Sequence, residues 1–154
     1  MNILVIGDEI NLAECQQKFG SSHAWSHAKE LKEVETLLNS TEVVFDFLQN
    51  RSSDDMLIYK NKRLVVFLNS SLITLNSLLK NAANSKPHFF GFCGLPTFVN
   101  RELLEVSMLK ESDLAFLDEI CKQLHTKYAL VADCVGLVTP RIICMIINEA
   151  YYTV

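Results

Sequence analysis

The chain has 154 residues, of which 14 are Lys or Arg and 18 are Asp or Glu, giving a formal net charge of −4. This balance argues against nucleic acid binding, which requires a basic patch or stripe. Hydrophobic residues make up 49% of the chain, yet no uninterrupted apolar run approaches the roughly 18 residues of a membrane span. The N-terminus also lacks the basic region of a signal peptide. We therefore expect neither a nucleic acid nor a membrane as a partner.

Five cysteines are spread along the chain, at positions 15, 93, 121, 134 and 144, without a C-x-x-C pair. An odd number with irregular spacing fits neither a disulfide framework nor a structural zinc site. His23 and His27 have the i, i+4 spacing of a helical metal pair, but no third ligand stands near them in the sequence. We therefore predict free thiols in a reducing cytoplasm and no bound metal.

The first third of the chain alternates apolar runs with helical periodicity. The β-branched run over 1–6 ends at Gly7 and predicts a fully buried strand. The elements predicted next are a helix over 11–19, a weak strand over 24–27, a helix over 29–39 and a second buried strand over 42–48. Residues 50–63 are polar, and we expect them to be irregular.

The rest of the chain repeats this alternation. Further strands are predicted over 64–68, 88–92, 103–109 and 128–132. One helix is expected to follow Ser71 as its N-cap, and another to follow Ser112. Apolar strands that alternate with helices are typical of a mostly parallel sheet covered by helices on both faces. The predicted fold class is therefore α/β and Rossmann-like, in one domain over residues 1–136.

The C-terminal helix stands apart from this pattern. Pro140 is predicted to open it, since a proline at the first helical position costs no hydrogen bond. Over residues 142–152 only Asn148 and Glu149 are polar. A helix that is apolar almost all round is buried on all sides, so we expect a homodimer built on residues 137–154. The alternative is that this helix packs entirely within its own subunit.

Six short segments, in chain order, carry a resemblance to one enzyme family. They are Val43-Val44-Phe45-Asp46, Leu68-Asn69-Ser70-Ser71-Leu72, His88-Phe89-Phe90-Gly91-Phe92, Leu103-Leu104-Glu105-Val106, residues 133–141, and Asn148-Glu149-Ala150. They resemble the segments V-V-V-E, N-T-S-S-L, H-F-F-N-P, L-V-E-V, D-x-P-G-F-x-x-N-R and N-E-A of the 3-hydroxyacyl-CoA dehydrogenases. The N-terminal half is shorter than in that family. Residues 137–154 resemble only the first helix of the family's helical dimerisation domain.

The resemblance implies three catalytic positions. By position, His88 matches the family's general base, which takes the proton of the 3-hydroxyl while hydride leaves for NAD. Glu105 matches the carboxylate that orients this histidine, and Ser70 matches a hydroxyl that binds the substrate oxygen. We expect these three residues to converge on one cleft at the carboxyl side of the sheet. The family's asparagine is replaced by Pro140, and losing such a donor costs roughly 10²–10³ in rate.

The dinucleotide fingerprint is largely absent. A phosphate-binding turn of this kind needs three glycines, but here the register reads Gly7-x-Glu9-x-x-Leu12. Asp8 and Glu9 also stand at the start of the first helix, where a pyrophosphate would bind. The acid expected about 20 residues later for the ribose is missing. Gly7 and Asp46 remain as the candidate cofactor-binding residues, and we expect no conventional NAD binding.

Three hypotheses follow for the function. The first is a degenerate relative of the 3-hydroxyacyl-CoA dehydrogenases, non-catalytic or weakly active, that binds acyl-CoA or another small molecule or acts as a regulatory dimer. The second is an active NAD-dependent 3-hydroxyacyl-CoA oxidoreductase that holds its cofactor in an unconventional way. The third is a protein-interaction module that uses only the fold and its apolar C-terminal helix.

Overall fold

One mixed sheet organises the computed structural model, which describes residues 1–60, 62–82 and 85–153. Its seven described strands are β1 (Asn2–Ile6), β2 (Ala24–Ala28), β3 (Val43–Asp46), β4 (Val65–Asn69), β5 (His88–Phe92), β6 (Leu103–Ser107) and β7 (Lys127–Leu130). They lie in the order β2-β1-β3-β4-β5-β6-β7. Neighbouring strands are parallel except β5 and β6, which are antiparallel. The predicted strands are confirmed, with bounds that shift by at most two residues.

Five α-helices connect or follow the strands in the described part of the chain. They are α1 (Glu9–Phe19), α2 (Leu31–Leu37), α3 (Leu75–Leu78), α4 (Leu114–Gln123) and α5 (Thr139–Tyr152), with 3-10 turns at Asp55–Tyr59 and Glu111–Asp113. The first of these 3-10 turns lies in the segment 50–63 that the sequence predicts to be irregular, and residue 61 of that segment lies outside the described residues.

Both predicted serine caps are wrong. The hydroxyl of Thr74, not that of Ser71, accepts the Ser77 N–H at the start of α3. Ser71 instead lies buried before the helix, where its N–H and its hydroxyl both donate to Asn69 Oδ1. The N-cap position of α4 is taken by Asp113, whose side chain makes no capping bond. A serine before an apolar run therefore does not by itself locate a helix start.

The core has a layer on each face of the sheet. On one face the phenylalanines of neighbouring strands stack, with ring centroids 4.7 Å apart for Phe45 and Phe67 and 5.4 Å apart for Phe67 and Phe90. On the other face Val44, Met56 and Tyr59 belong to a second buried cluster. Because successive strand residues point to opposite faces, burial on both faces produces the continuous apolar runs of the sequence. The predicted Rossmann-like α/β fold is confirmed.

The C-terminal helix α5 is largely uncovered by the rest of the chain. Pro140 is its only buried residue in the described structure. Its large apolar side chains are exposed: Ile142, Met145, Ile146, Ile147, Tyr151 and Tyr152. The described residues therefore give α5 no cover along most of its length, and the dimer on residues 137–154 stays a prediction. Residue 154, the last of the predicted dimer segment, lies outside the described residues.

None of the helices formed by the described residues combines the length and the apolar character needed to cross a bilayer.

The antiparallel step between β5 and β6 decides where the predicted site residues lie. In the parallel strands β1 to β5, the last residues share one edge of the sheet, which we call the carboxyl edge. The opposite edge, where these strands begin, is the amino edge. Because β6 runs the opposite way, its last residues pair with the last residues of β5 and its first residues extend past the carboxyl edge. Gly91 pairs with Ser107 and Phe92 with Val106, so Glu105 lies near the end of β5 and not near its start.

Candidate functional site

The carboxyl edge of the sheet holds Ser70 in a closed position. Ser70 is fully buried, its N–H donates to Phe92 O at 2.8 Å, and its hydroxyl contacts Leu68 O at 3.3 Å. A Cβ added to Gly91 would lie 2.4 Å from Ser70 Oγ and 2.3 Å from Ser107 Oγ. The glycine therefore allows β4 and β5 to enclose this hydroxyl, which leaves it no exposed face for a substrate oxygen.

Asn69 is the polar centre of this edge, and sequence reasoning did not assign it a role. Its Oδ1 accepts the N–H of Ser71 at 3.1 Å, the hydroxyl of Ser71 at 2.6 Å and the N–H of Gly94 at 3.1 Å. Its Nδ2 donates to Phe47 O at 3.0 Å. Asn69 therefore ties together the chain segments that leave β3, β4 and β5. The only indication of this role in the sequence was the position of an asparagine at the end of an apolar run.

Glu105 has a structural partner instead of a histidine. Its carboxylate accepts the N–H of Val138 at 3.1 Å and the N–H of Thr139 at 3.0 Å, and it also accepts the Thr139 hydroxyl. These groups open α5, and a carboxylate at a helix N-terminus is stabilised by the helix dipole. The cavity between Glu105, Thr139 and Cys93 measures about 10 Å³. A cavity of that size holds one water at most, so no substrate fits between these residues.

Cys93, which follows the last residue of β5, lies beside Glu105 where His88 was expected to converge with it. It follows Phe92, whose register partner is Val106, and it lines the small cavity beside Glu105. The hydroxyl of Ser71 lies 3.7 Å from its sulfur. Burial raises the pKa of the Cys93 thiol. The side chain is therefore a protonated thiol at neutral pH, which is a poor nucleophile and a poor base.

His88 lies at the other end of β5, which contradicts the predicted convergence with Glu105 and Ser70. It is the first residue of β5 and pairs with Val65. Five residue steps of about 3.3 Å separate it from Cys93 by roughly 16 Å along the strand. The physical reason is that the H-F-F segment begins the strand, so its histidine faces the amino edge. The three residues matched by resemblance therefore do not form one site.

The start of α1 is where a dinucleotide phosphate would bind, and side chains of the chain itself already accept two of its N–H groups. Asp8 caps the helix: its Oδ1 accepts the Asn11 N–H at 2.9 Å, and Asn11 Oδ1 accepts the Asp8 N–H at 2.9 Å. Asn11 Oδ1 lies only 2.5 Å from the position of a Cβ on Gly7. Glu9 pairs with Lys29 across the end of β2 at 3.0 Å. A pyrophosphate does not fit these residues, because it would meet two carboxylates where it needs free N–H groups.

Asp46, the other candidate for the cofactor, is committed to the fold. It is buried, and its carboxylate accepts Leu48 N–H at 3.1 Å, Arg51 Nη2 at 2.5 Å and Tyr59 Oη at 3.0 Å. Burial raises the pKa of the Asp46 carboxyl, and the Arg51 guanidinium opposes that shift. Nε and Nη1 of Arg51 are buried without a protein partner among the described residues. Asp46 and Arg51 therefore form a buried ion pair inside the core.

His23 and His27, which have the spacing of a helical metal pair, make separate contacts. His27 Nε2 lies 2.9 Å from Gly7 O, and His23 packs edge-on against Trp25. Within the described ranges there is no group of three or more His, Cys, Asp or Glu side chains that could hold a metal ion.

We expect the Asp8→Ala variant to lower the free energy of unfolding by about 1 kcal/mol, since it removes the side-chain cap of α1. Urea denaturation followed by circular dichroism measures this. The matched control is Glu35→Ala, which changes an exposed acid in α2 outside any capping position. An Asp8→Ala variant as stable as the parent would show that the capping box does not hold the helix start.

Comparisons with known proteins identify the fold only. No protein-family model matches the chain, and no curated protein sequence matches it. Many solved structures are similar, among them the three that follow. The (S)-3-hydroxybutyryl-CoA dehydrogenase of Ralstonia eutropha has a TM-score of 0.64 and 17% identity over 97% of this chain and 70% of its own. A 3-hydroxyacyl-CoA dehydrogenase of Archaeoglobus fulgidus has a TM-score of 0.63 and 14% identity over 99% of this chain and 63% of its own.

The third similar structure is a pyridine carboxylic acid 5-dehydrogenase described as an NAD⁺-dependent dismutase. It has a TM-score of 0.70 and 12% identity, and the match covers 97% of this chain and 63% of its own. The chain thus spans about two thirds of the length of these structures. The resemblance seen in the sequence segments is confirmed as a likeness of fold: the chain has the fold of NAD-dependent dehydrogenases of the 3-hydroxyacyl-CoA type.

Proposed function

We propose that this chain is a non-catalytic relative of the 3-hydroxyacyl-CoA dehydrogenases that acts as a small-molecule binding or regulatory dimer. One observation carries the proposal. Glu105, the carboxylate matched to the catalytic pair, is bound by the first residues of α5, while His88 lies at the amino edge of the sheet. A general base must lie within hydrogen-bond reach of the proton it takes, and no histidine lies at this edge of β5.

The start of α1 supports the absence of conventional cofactor binding. Helix N-termini bind phosphates through free N–H groups and a positive dipole end. Here the Asn11 N–H is occupied by Asp8, and Glu9 adds a second negative charge beside it. Pro140 at the family's asparagine position removes a further hydrogen-bond donor. The occupied N–H group and the charge of Glu9 both act against binding of the cofactor, and Pro140 acts against binding of the substrate oxygen.

An open cleft at the carboxyl edge supports a binding role. It has a volume of about 440 Å³ and is lined by the ends of β1 and β3 and by the loop after β5. That volume falls in the range of small-molecule sites. Asp8 and Lys29 line it on one side, so the charges nearest to a ligand are of mixed sign. Acyl-CoA as its ligand stays a prediction.

The exposed α5 supports the dimer on residues 137–154. Ile146 is 62% exposed and Tyr151 is 82% exposed, and neighbouring side chains extend the apolar surface. Soluble proteins rarely leave a contiguous apolar patch of this kind uncovered. A two-fold pairing of α5 with its copy is the simplest closed arrangement that covers it.

We expect no binding of NADH and no turnover of acetoacetyl-CoA. Calorimetric titration of the folded protein with NADH is expected to give no saturable heat up to about 1 mM, which corresponds to binding weaker than about 4 kcal/mol. Absorbance of NADH in the presence of acetoacetyl-CoA is expected to stay constant.

Two matched variants test whether the negative charge at the start of α1 is the reason that NADH does not bind. Glu9→Gln keeps the size of the side chain and removes one charge from the start of α1, while Glu35→Gln makes the same change on α2. A micromolar dissociation constant for NADH in the unaltered protein, or measurable oxidation of NADH by acetoacetyl-CoA, would refute the proposal and favour an active oxidoreductase.

A further inference from the structure

The amino edge of the sheet contains an oriented histidine that the proposed function does not use. His88 Nδ1 lies 3.0 Å from Asp113 Oδ1. A carboxylate can only accept a hydrogen bond, so Nδ1 carries the proton and donates it. The imidazole also stacks on the ring of Phe116, with centroids 3.7 Å apart and planes 23° apart. Two contacts from the segment around the start of α4 therefore fix the ring, and Nε2 remains as its free ligand-binding atom.

A cleft of about 610 Å³ opens beside this histidine. Its lining consists of Glu42, Arg63, Leu64, Val65, Lys86, His88 and Phe116. The strand register brings the two cations together, because His88 N–H donates to Leu64 O at 3.0 Å. Arg63 and Lys86 thus each lie two residues before the first residue of the neighbouring strands β4 and β5. The lining also contains one carboxylate, that of Glu42, which accepts the N–H of Asn2 at 2.7 Å.

The chemistry of this lining favours an anion. Arg63 and Lys86 supply only donors, and Nε2 of His88, with the proton on Nδ1, supplies an acceptor for an O–H group of the ligand. Hydrogen bonds from charged donors to an oxyanion are stronger than those between neutral groups. Leu64, Val65 and Phe116 give the cleft an apolar wall that suits a short carbon body. Cations cluster here although the chain as a whole has a net charge of −4.

We propose that this amino-edge cleft binds a small organic oxyanion, a carboxylate or a phosphate monoester, through His88, Arg63 and Lys86. The cleft lies at the opposite edge of the sheet from the start of α1. Binding there does not depend on whether the chain binds NAD or forms a dimer.

The test is a titration of the full chain with butyrate and, separately, with inorganic phosphate at low ionic strength. Two-dimensional NMR of the ¹⁵N-labelled imidazoles follows His88, and calorimetry gives the affinity. We expect a saturable shift of the His88 nitrogens with at least one of the two anions. The anion that binds more tightly identifies the ligand as carboxylate or phosphate.

Two variants assign the binding to the cleft. Arg63→Ala/Lys86→Ala removes two charge-assisted hydrogen bonds and is expected to weaken binding by about tenfold or more. His88→Gln retains a hydrogen-bonding side chain without the imidazole and is expected to weaken it as well. Lys122→Ala, which removes a lysine from the last turn of α4, is the control and is expected to bind normally.

Three results would overturn the proposal. One is that neither anion shifts the His88 resonances at tens of millimolar. Another is that the Arg63→Ala/Lys86→Ala variant binds as tightly as the parent. The last is that Lys122→Ala weakens binding as much as the cleft variants, since binding would then follow net charge. Circular dichroism confirms that each variant is folded before it is titrated.

Discussion

The Arg51→Met variant is expected to lose about 3–5 kcal/mol of unfolding free energy, because it leaves the buried Asp46 carboxylate without its guanidinium. The Asp46 side chain is 1% exposed and that of Arg51 is 6% exposed, so water does not replace the lost partner. Methionine keeps the length and the apolar stem of the arginine. Urea denaturation at neutral pH, followed by circular dichroism, measures the loss.

The double variant Asp46→Asn/Arg51→Met is the matched control. Removing both members of a buried ion pair together is often close to neutral, and it also removes the two guanidinium nitrogens that lack partners. We therefore expect the double variant to recover most of the stability. A loss of less than about 1 kcal/mol in Arg51→Met, the range of an exposed pair, would show that the ion pair is not buried.

The stability of the Arg51→Met variant should also depend on pH, and the direction follows from the pKa of Asp46. Burial already raises the pKa of Asp46, and removing the opposing guanidinium raises it further. A carboxyl whose pKa is higher in the folded than in the unfolded state takes up a proton on folding. The free energy of unfolding of Arg51→Met therefore falls as pH rises. We expect the deficit of Arg51→Met to be largest near neutrality and to shrink as pH falls towards about 4, the pKa of an unfolded aspartate.

The second large effect is expected at α5. The unaltered protein should sediment at micromolar concentration as a particle of twice its 17.5 kDa, and Ile146→Glu/Tyr151→Glu should sediment as a monomer. Each large apolar side chain buried at such an interface contributes roughly 1.5–3 kcal/mol. Several are needed, because association costs about 4–15 kcal/mol. Charged residues at these two positions would have to be desolvated on pairing, which opposes it.

The control for this prediction is Ile10→Glu, the same substitution on α1 at a side chain that is 68% exposed, against 62% for Ile146. This control should remain a dimer. A clean monomer for the unaltered protein would refute the dimer, and so would a dimer that is unchanged by the two charged substitutions.

The sheet could be predicted from the sequence because its strands are buried on both faces. The run over 64–68, for example, has no polar residue, and the structure buries β4 throughout. Helix starts were harder to predict, because Ser71 donates to Asn69, only two residues earlier in the chain. An asparagine side chain that binds the backbone and hydroxyl two residues on competes with helix capping, and the serine pattern alone does not show which of the two contacts forms.

The candidate site was less predictable than the fold for one geometric reason. Matching short segments gives the order of residues but not the direction of the strands that carry them. His88 begins β5 and Glu105 lies in an antiparallel neighbour, so the two residues lie towards opposite edges. The partner that His88 does have, Asp113, lies 25 residues away in sequence, and only the folded chain brings them together.

The strand order has a consequence for how the chain assembles during synthesis. Once β1 has received β2 on one side and β3 on the other, every later strand adds to the same growing edge, in the order in which the ribosome delivers it. No strand has to be inserted between two that are already paired. The first 46 residues can thus form a three-stranded unit that serves as a template while the remaining strands emerge. At each intermediate length a single new edge is open to mispairing with another chain.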